Sequence, residues 1–129
     1  MTREILFRGK HNHVSSQNEH LDGTWVHGYL CNENHIYSPE SEGELLIDPE
    51  TVCQYTGKTD RNDRKIFEND ICKLIADDDE LYQIQWDEDT ARYVLIQFGS
   101  IMVDFDFLSA DDIEVIGNIF DNPELMEES

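Results

Sequence analysis

Gly57-Lys58-Thr59 has the ending of a loop that grips nucleotide phosphates, in which backbone amides wrap the phosphate and the lysine neutralises it. That loop needs an earlier glycine five residues before the Gly-Lys pair; the position holds Val52, and residues 52 to 56 contain no glycine. Polar turn formers, Asp60 to Arg64, stand where the helix of such a loop should begin. Phosphate chemistry is therefore not expected here. His11-Asn12-His13, with His20 soon after, offers imidazoles to a metal, but no helix bearing a further ligand follows and a zinc site needs a defined ligand geometry. The stretch reads as a polar loop, and His27 and His35 read as strand and turn residues. Asp77-Asp78-Asp79-Glu80 and Asp87-Glu88-Asp89 lack the spacing and glycine of a calcium loop and read as solvated hairpin tips. There is no G-x-S-x-G, no H-E-x-x-H and no cysteine with an identifiable base partner. The sequence predicts no catalytic residue, no metal and no cofactor.

One segment stands out by charge. The chain has 29 acids and 9 bases, a net charge of −20. Such an excess argues against direct binding to nucleic-acid backbones or anionic membranes. Residues 73–129 hold 16 acids and 2 bases, yet Lys58, Arg61, Arg64 and Lys65 fall together within residues 54–72, QYTGKTDRNDRKIFENDIC. This is a basic island on an acidic chain.

The elements that must position it are strands. "LYQIQW" (81–86) alternates Tyr82, Ile84 and Trp86 with Leu81, Gln83 and Gln85, and "SIMVDFDF" (100–107) sets Ile101, Val103, Phe105 and Phe107 on one face. "TWVHGYL" (24–30), "ICKLIA" (71–76), "RYVLIQF" (92–98) and "IEVIGNIF" (113–120) are rich in branched and aromatic residues that fit a pleated surface. Tight polar links between them predict antiparallel hairpins. The expected fold is mainly β, with an SH3-like or OB-like small barrel built from the five strands of the C-terminal half. "DNPELMEES" predicts a short terminal helical turn, with Asn122 as cap and Pro123 in the first turn. Residues 38–44 read as an exposed loop. At 129 residues one domain is expected: an N-terminal β region over 1–65, a barrel-like half over 66–120 and an acidic tail over 121–129. Three cysteines, an odd number, and the lack of a signal-peptide pattern predict free thiols in a cytoplasm. No apolar run approaches the ~20 residues of a membrane helix.

"REILFRGK", "GTWVHGYL" (23–30), "IDPETVCQYTGKTDRNDRKIFENDI" (47–71) and "IEVIGNIFDNPEL" (113–125) resemble, in order, the YopX-like family of phage and prophage proteins. The resemblance implies a mostly β fold in a bacterial virus or prophage, with no catalytic residues to carry over. The family typically has glycines where this chain has Cys53, Asp63 and Asn69. Asp and Asn are the side chains that best tolerate a left-handed backbone, so turns at "RNDRK" and "FENDI" are expected to survive. At Cys53 a packing change within a strand is expected.

The functional expectation is a non-catalytic accessory protein that binds a protein of the phage or its bacterial host; association with a second copy is compatible with it. The expected contact surface is Lys58, Arg61, Arg64 and Lys65, with Tyr55 and Phe67 as aromatic anchors. The alternative is a DNA mimic, in which the acidic half imitates phosphates and occupies a nucleic-acid-binding protein.

Overall fold

The computed structural model describes residues 5–11, 24–32, 34–39, 43–97 and 100–126. Among the described residues there are eleven strands and a few 3-10 turns, and the chain divides into two compact units, Met1–Tyr55 and Thr56–Ser129. Segment 56–65, with its basic island, therefore belongs with the C-terminal half.

In the first unit, β1 (Phe7–Lys10), β2 (Trp25–Asn32), β3 (His35–Ser38) and β4 (Gly43–Leu46) pair antiparallel in the order β4-β3-β2-β1. The start of β5 (Cys53–Thr59) adds to β1 through Arg8↔Cys53 and Phe7↔Gln54. Alternation along β2 and β3 buries Val26 and Ile36, which pack with Ile47; Phe7, Leu45 and Val52 close around them. Gly28 is needed where β2 meets β3, since a Cβ there would lie 1.9 Å from the Tyr37 carbonyl oxygen. A 3-10 turn, Pro49–Thr51, leads into β5, and the Thr51 hydroxyl accepts the Lys10 N–H at 2.8 Å. His35 opens β3 and is not a turn residue. The loop expected over 38–44 is shorter at both ends: Ser38 closes β3 and is buried, and Gly43 opens β4. Of the histidine-rich stretch only His11 lies within the described residues; it is buried, and its backbone N–H donates to the Thr24 carbonyl at 2.8 Å.

In the second unit, β6 (Lys65–Phe67) follows the end of β5, and five strands form an antiparallel sheet in the order β10-β9-β8-β7-β11. These are β7 (Asp70–Leu74), β8 (Asp77–Asp87), β9 (Arg92–Gln97), β10 (Ser100–Asp104) and β11 (Ile113–Asn118). They are the five strands expected from the sequence. Among the described residues no pairing joins β10 to β11, so the sheet is barrel-like in strand count but open. The chain leaves β10 at Asp104 and crosses through two 3-10 turns, Phe105–Phe107 and Ala110–Asp112, to reach the far edge beside β7. The core is Ile66, Cys72, Tyr82, Ile84, Tyr93, Leu95, Phe105, Ile113 and Val115. A fully buried branched or aromatic side chain of this kind contributes about 1.5–3 kcal/mol.

Two local expectations are corrected. β10 does not continue to Phe107: the Asp104 carboxylate accepts the Asp106 N–H at 3.0 Å and turns the chain. Phe105 is consequently buried at 1% exposure and Phe107 stands 85% exposed, so the two do not share a face. The 77–80 tip is likewise different, because β8 already begins at Asp77, opposite Leu74, and Ile75-Ala76 make the turn. The next pair is Lys73↔Leu81, which leaves 78–80 without partners on β7. The terminal 3-10 turn is present over Pro123–Met126.

The two left-handed turns survive as expected. Asp63 has φ 65° and Asn69 φ 71°. Cys53 is fully buried in β5, its thiol directed at the Thr51 carbonyl at 3.2 Å, and needs no left-handed backbone. All three cysteines are free thiols. Among the described residues no helix is long and apolar enough to cross a membrane.

Candidate functional site

The basic island folds around one acid. Asp60 follows the last residue of β5 and is 2% exposed. One carboxylate oxygen accepts the N–H of Asn62 (2.9 Å) and of Arg64 (3.0 Å), closing the turn over which Asp63 adopts its left-handed backbone. The other oxygen accepts the Val115 N–H of β11 at 2.9 Å, 55 residues away in sequence. Backbone bonds complete the anchorage: Asp60 N–H to the Arg64 carbonyl (2.8 Å) and Arg61 N–H to the Ile113 carbonyl (2.9 Å). Burial pushes the Asp60 carboxyl up, but the N–H groups of Val115, Arg64 and Asn62, with the Arg64 charge, outweigh it and hold its pKa below the ordinary value. The turn is thus a charged tip fixed from inside by a buried carboxylate.

Its side chains point outward. Arg61, Asn62, Asp63, Arg64 and Lys65 are all exposed. Among the described residues neither the Arg61 nor the Arg64 guanidinium makes a hydrogen bond or salt bridge; Arg64 acts on Asp60 only through its charge. On a chain of −20 these are two cations left to solvent.

The other expected contact residues lie elsewhere. Tyr55 is 8% exposed and Phe67 3%, so both rings are interior and neither presents an anchor. The alternation of β5 and β6 turns them inward; sequence reasoning weighed their aromaticity and not their phase. Lys58 is half-buried and faces in. Its ammonium donates to the carbonyls of Phe105 (2.6 Å) and Leu108 (2.8 Å) and sits 4.5 Å from the centre of the Phe105 ring. Burial lowers its pKa from the ordinary lysine value, while Asp106 and Asp104 pull the other way. The glycine of the Gly-Lys-Thr triplet serves the backbone. Gly57 has φ 93°, which takes the chain out of the regular pleat just before Lys58. The neighbouring Thr56 hydroxyl donates to the Ile66 carbonyl at 2.7 Å. The phosphate-loop likeness is therefore explained by a strand irregularity and a lysine that ties a turn.

Sequence reasoning missed Asp60 and Phe107. For Asp60 a signal existed, an Asp followed by Asn at the second position and a left-handed-tolerant Asp at the third, which is the pattern of a side-chain-capped turn. For Phe107 the alternation of "VDFDF" pointed the wrong way. Elsewhere, Lys73 pairs with Glu114 (3.3 Å) and Arg92 with Asp104 (2.6 Å). Among the described residues no three of His, Cys, Asp and Glu gather as a metal site.

An all-β chain in two units, with a carboxylate-pinned basic turn at the root of the second, is the class that the geometry defines. The profile of the family described as YopX protein matches residues 6–127, and the chain belongs to that family. No curated protein sequence matches the chain.

Proposed function

We propose that this chain is a non-catalytic accessory protein of a phage or prophage, acting in the cytoplasm of the bacterial host as a protein-interaction module that docks through its 60–65 turn. The observation that carries this reading is the state of Arg61 and Arg64: exposed, without a hydrogen bond or salt bridge among the described residues, on a turn pinned by Asp60. Exposed ion pairs within the chain would be worth only about 0–1 kcal/mol each, so leaving these two cations in water costs the fold little and keeps them open to a partner. Holding two guanidinium groups out on a rigid tip suits a partner with an acidic surface, because little backbone ordering remains to be met on binding. Arginine is also the cation best suited to paired, planar contacts with carboxylates.

The test is capture from a bacterial lysate by the intact chain, compared with Arg61→Glu/Arg64→Glu. Both side chains are exposed, so the melting temperature should stay close to that of the parent. Capture should fall, and the association rate of the captured partner should drop and lose its salt sensitivity. Undiminished capture with a normal melt overturns the docking turn. A DNA mimic gives the opposite pattern, with capture kept or strengthened by the added negative charge.

A further inference from the structure

We infer that Phe107 is the apolar anchor of this module, and that the surface it enters is a folded protein's apolar pocket rimmed by lysine or arginine. This rests on the interaction-module reading above, but on a different part of the unit. Of the exposed large apolar side chains described, Phe107 is the most open, at 85%.

Its exposure is built, not incidental. Three restraints fix the turn that carries it. The Asp104 carboxylate caps the Asp106 N–H at 3.0 Å, the Leu108 N–H returns to the Phe105 carbonyl at 3.1 Å, and the Lys58 ammonium clamps the Phe105 and Leu108 carbonyls from below. The Phe105 ring roots the turn in the core, edge-on to Tyr93 with centroids 6.2 Å apart. A ring held out on a rigid turn loses little conformational entropy on docking and brings a large apolar area. Aromatic side chains so presented are the kind that dominate binding energy.

The charges around it select the pocket's rim. Asp106 and Asp111 are exposed, and among the described residues neither carboxylate is in a salt bridge. The two nearby bases are already engaged: Lys58 is turned onto carbonyls, and Arg92 is bound to Asp104 at 2.6 Å. The Lys58 charge still offsets part of Asp106 and Asp104, but the four carboxylates of residues 104–112 (Asp104, Asp106, Asp111 and Asp112) outnumber these two bases, so the segment that carries the ring is net negative and the complementary rim is cationic. Lys58 lies three residues before Arg61, so the root of the basic turn is also the clamp of the aromatic one. One segment positions both tips.

The experiment immobilises the full chain, identifies proteins retained from a bacterial lysate at low and moderate salt, and measures the affinity of each for Phe107→Ala, Phe107→Gln, Asp106→Asn/Asp111→Asn and Arg61→Glu/Arg64→Glu. The expected result is a partner whose affinity falls about thirty-fold or more with Phe107→Ala, mainly through faster dissociation. Phe107→Gln should behave alike, which guards against a folding defect in one variant, and both should melt as the parent does. Asp106→Asn/Asp111→Asn should flatten the salt dependence of association. Retention that both Phe107 variants leave unchanged overturns the inference, as does the absence of any retained protein. A Phe107-dependent dimer in gel filtration also overturns it, since the occupant would then be a second copy. Loss on Arg61→Glu/Arg64→Glu with retention on Phe107→Ala would keep the docking turn and remove the anchor; the reverse pattern would do the opposite.

Discussion

Two turns of the second unit start from the same local chemistry and end differently. At Asp60 and at Asp87 a carboxylate oxygen accepts the N–H two residues on, at 2.9 and 3.3 Å, and a left-handed residue, Asp63 or Ala91, brings the chain back. The second oxygen makes the difference. In Asp87 it accepts the Thr90 hydroxyl at 2.5 Å, within the turn; in Asp60 it accepts Val115 N–H from β11. One turn is closed on itself, the other is bolted to a strand distant in sequence. A short-range motif settles a turn's shape, and only a long-range bond settles how rigidly the fold holds it.

The comparison breaks most visibly on removing each carboxylate. Asp60→Ala leaves three backbone N–H groups without their acceptor, one of them buried, and should cost about 3–5 kcal/mol in denaturant unfolding. Asp87→Ala should cost under about 1 kcal/mol, because water replaces the lost acceptor. Equal losses at the two sites would remove the distinction.

Next in size is the clamp. Lys58→Met keeps the aliphatic stem and deletes the donors to the Phe105 and Leu108 carbonyls, for an expected loss of about 1–3 kcal/mol in the same unfolding measurement.

Acid sharpens the contrast further. The folded Asp60 pKa is lowered, so the unfolded chain binds its proton first as pH falls. Its stabilising contribution is complete above the ordinary Asp pKa and is lost as pH drops through that value towards the folded one. Stability should therefore rise from pH 7 towards the isoelectric point near 4.2, as self-repulsion fades, and then fall below about pH 4. In Asp60→Asn the fall below about pH 4 should be shallower. An identical acid limb in both proteins would show that other carboxylates control it.

The smallest effect tests the returning residues. Ala91 at φ 55° is strained, whereas Asp63 at φ 65° is tolerated, so Ala91→Gly should stabilise by about 0.5–1 kcal/mol and Asp63→Gly by less. Thermal melts of the two variants decide it.

The sheet of the second unit was largely legible because branched and aromatic runs coincide with β7, β8, β9 and β11 to within a few residues, as one does with β2 in the first. β3 and β4 were not: each has four residues, and both lie in a polar stretch where Ile36, Leu45 and Leu46 are too few to show a period. β10 was extended too far because "VDFDF" alternates through the point where Asp104 caps a turn, and a cap outweighs a two-residue period. The left-handed turns at Asp63 and Asn69 were legible from residue type alone. Within the basic island, exposure of Arg61, Arg64 and Lys65 followed from turn composition. The inward Lys58 did not, because its acceptors are carbonyls 47 and 50 residues further on, and backbone acceptors leave no trace in a side-chain pattern.

The burial of two of the three thiols has a practical corollary. Burial, with Asp70 and Asp60 nearby, pushes the Cys72 thiol up to about 12, so at neutral pH almost no thiolate exists to react there, and Cys53 is equally closed to solvent. Cys31 alone is exposed, on β2. A maleimide added to the native chain should therefore attach a single label to the first unit. Later labels would then clock the opening of β5 and β7, giving a built-in stopwatch for each unit's unfolding.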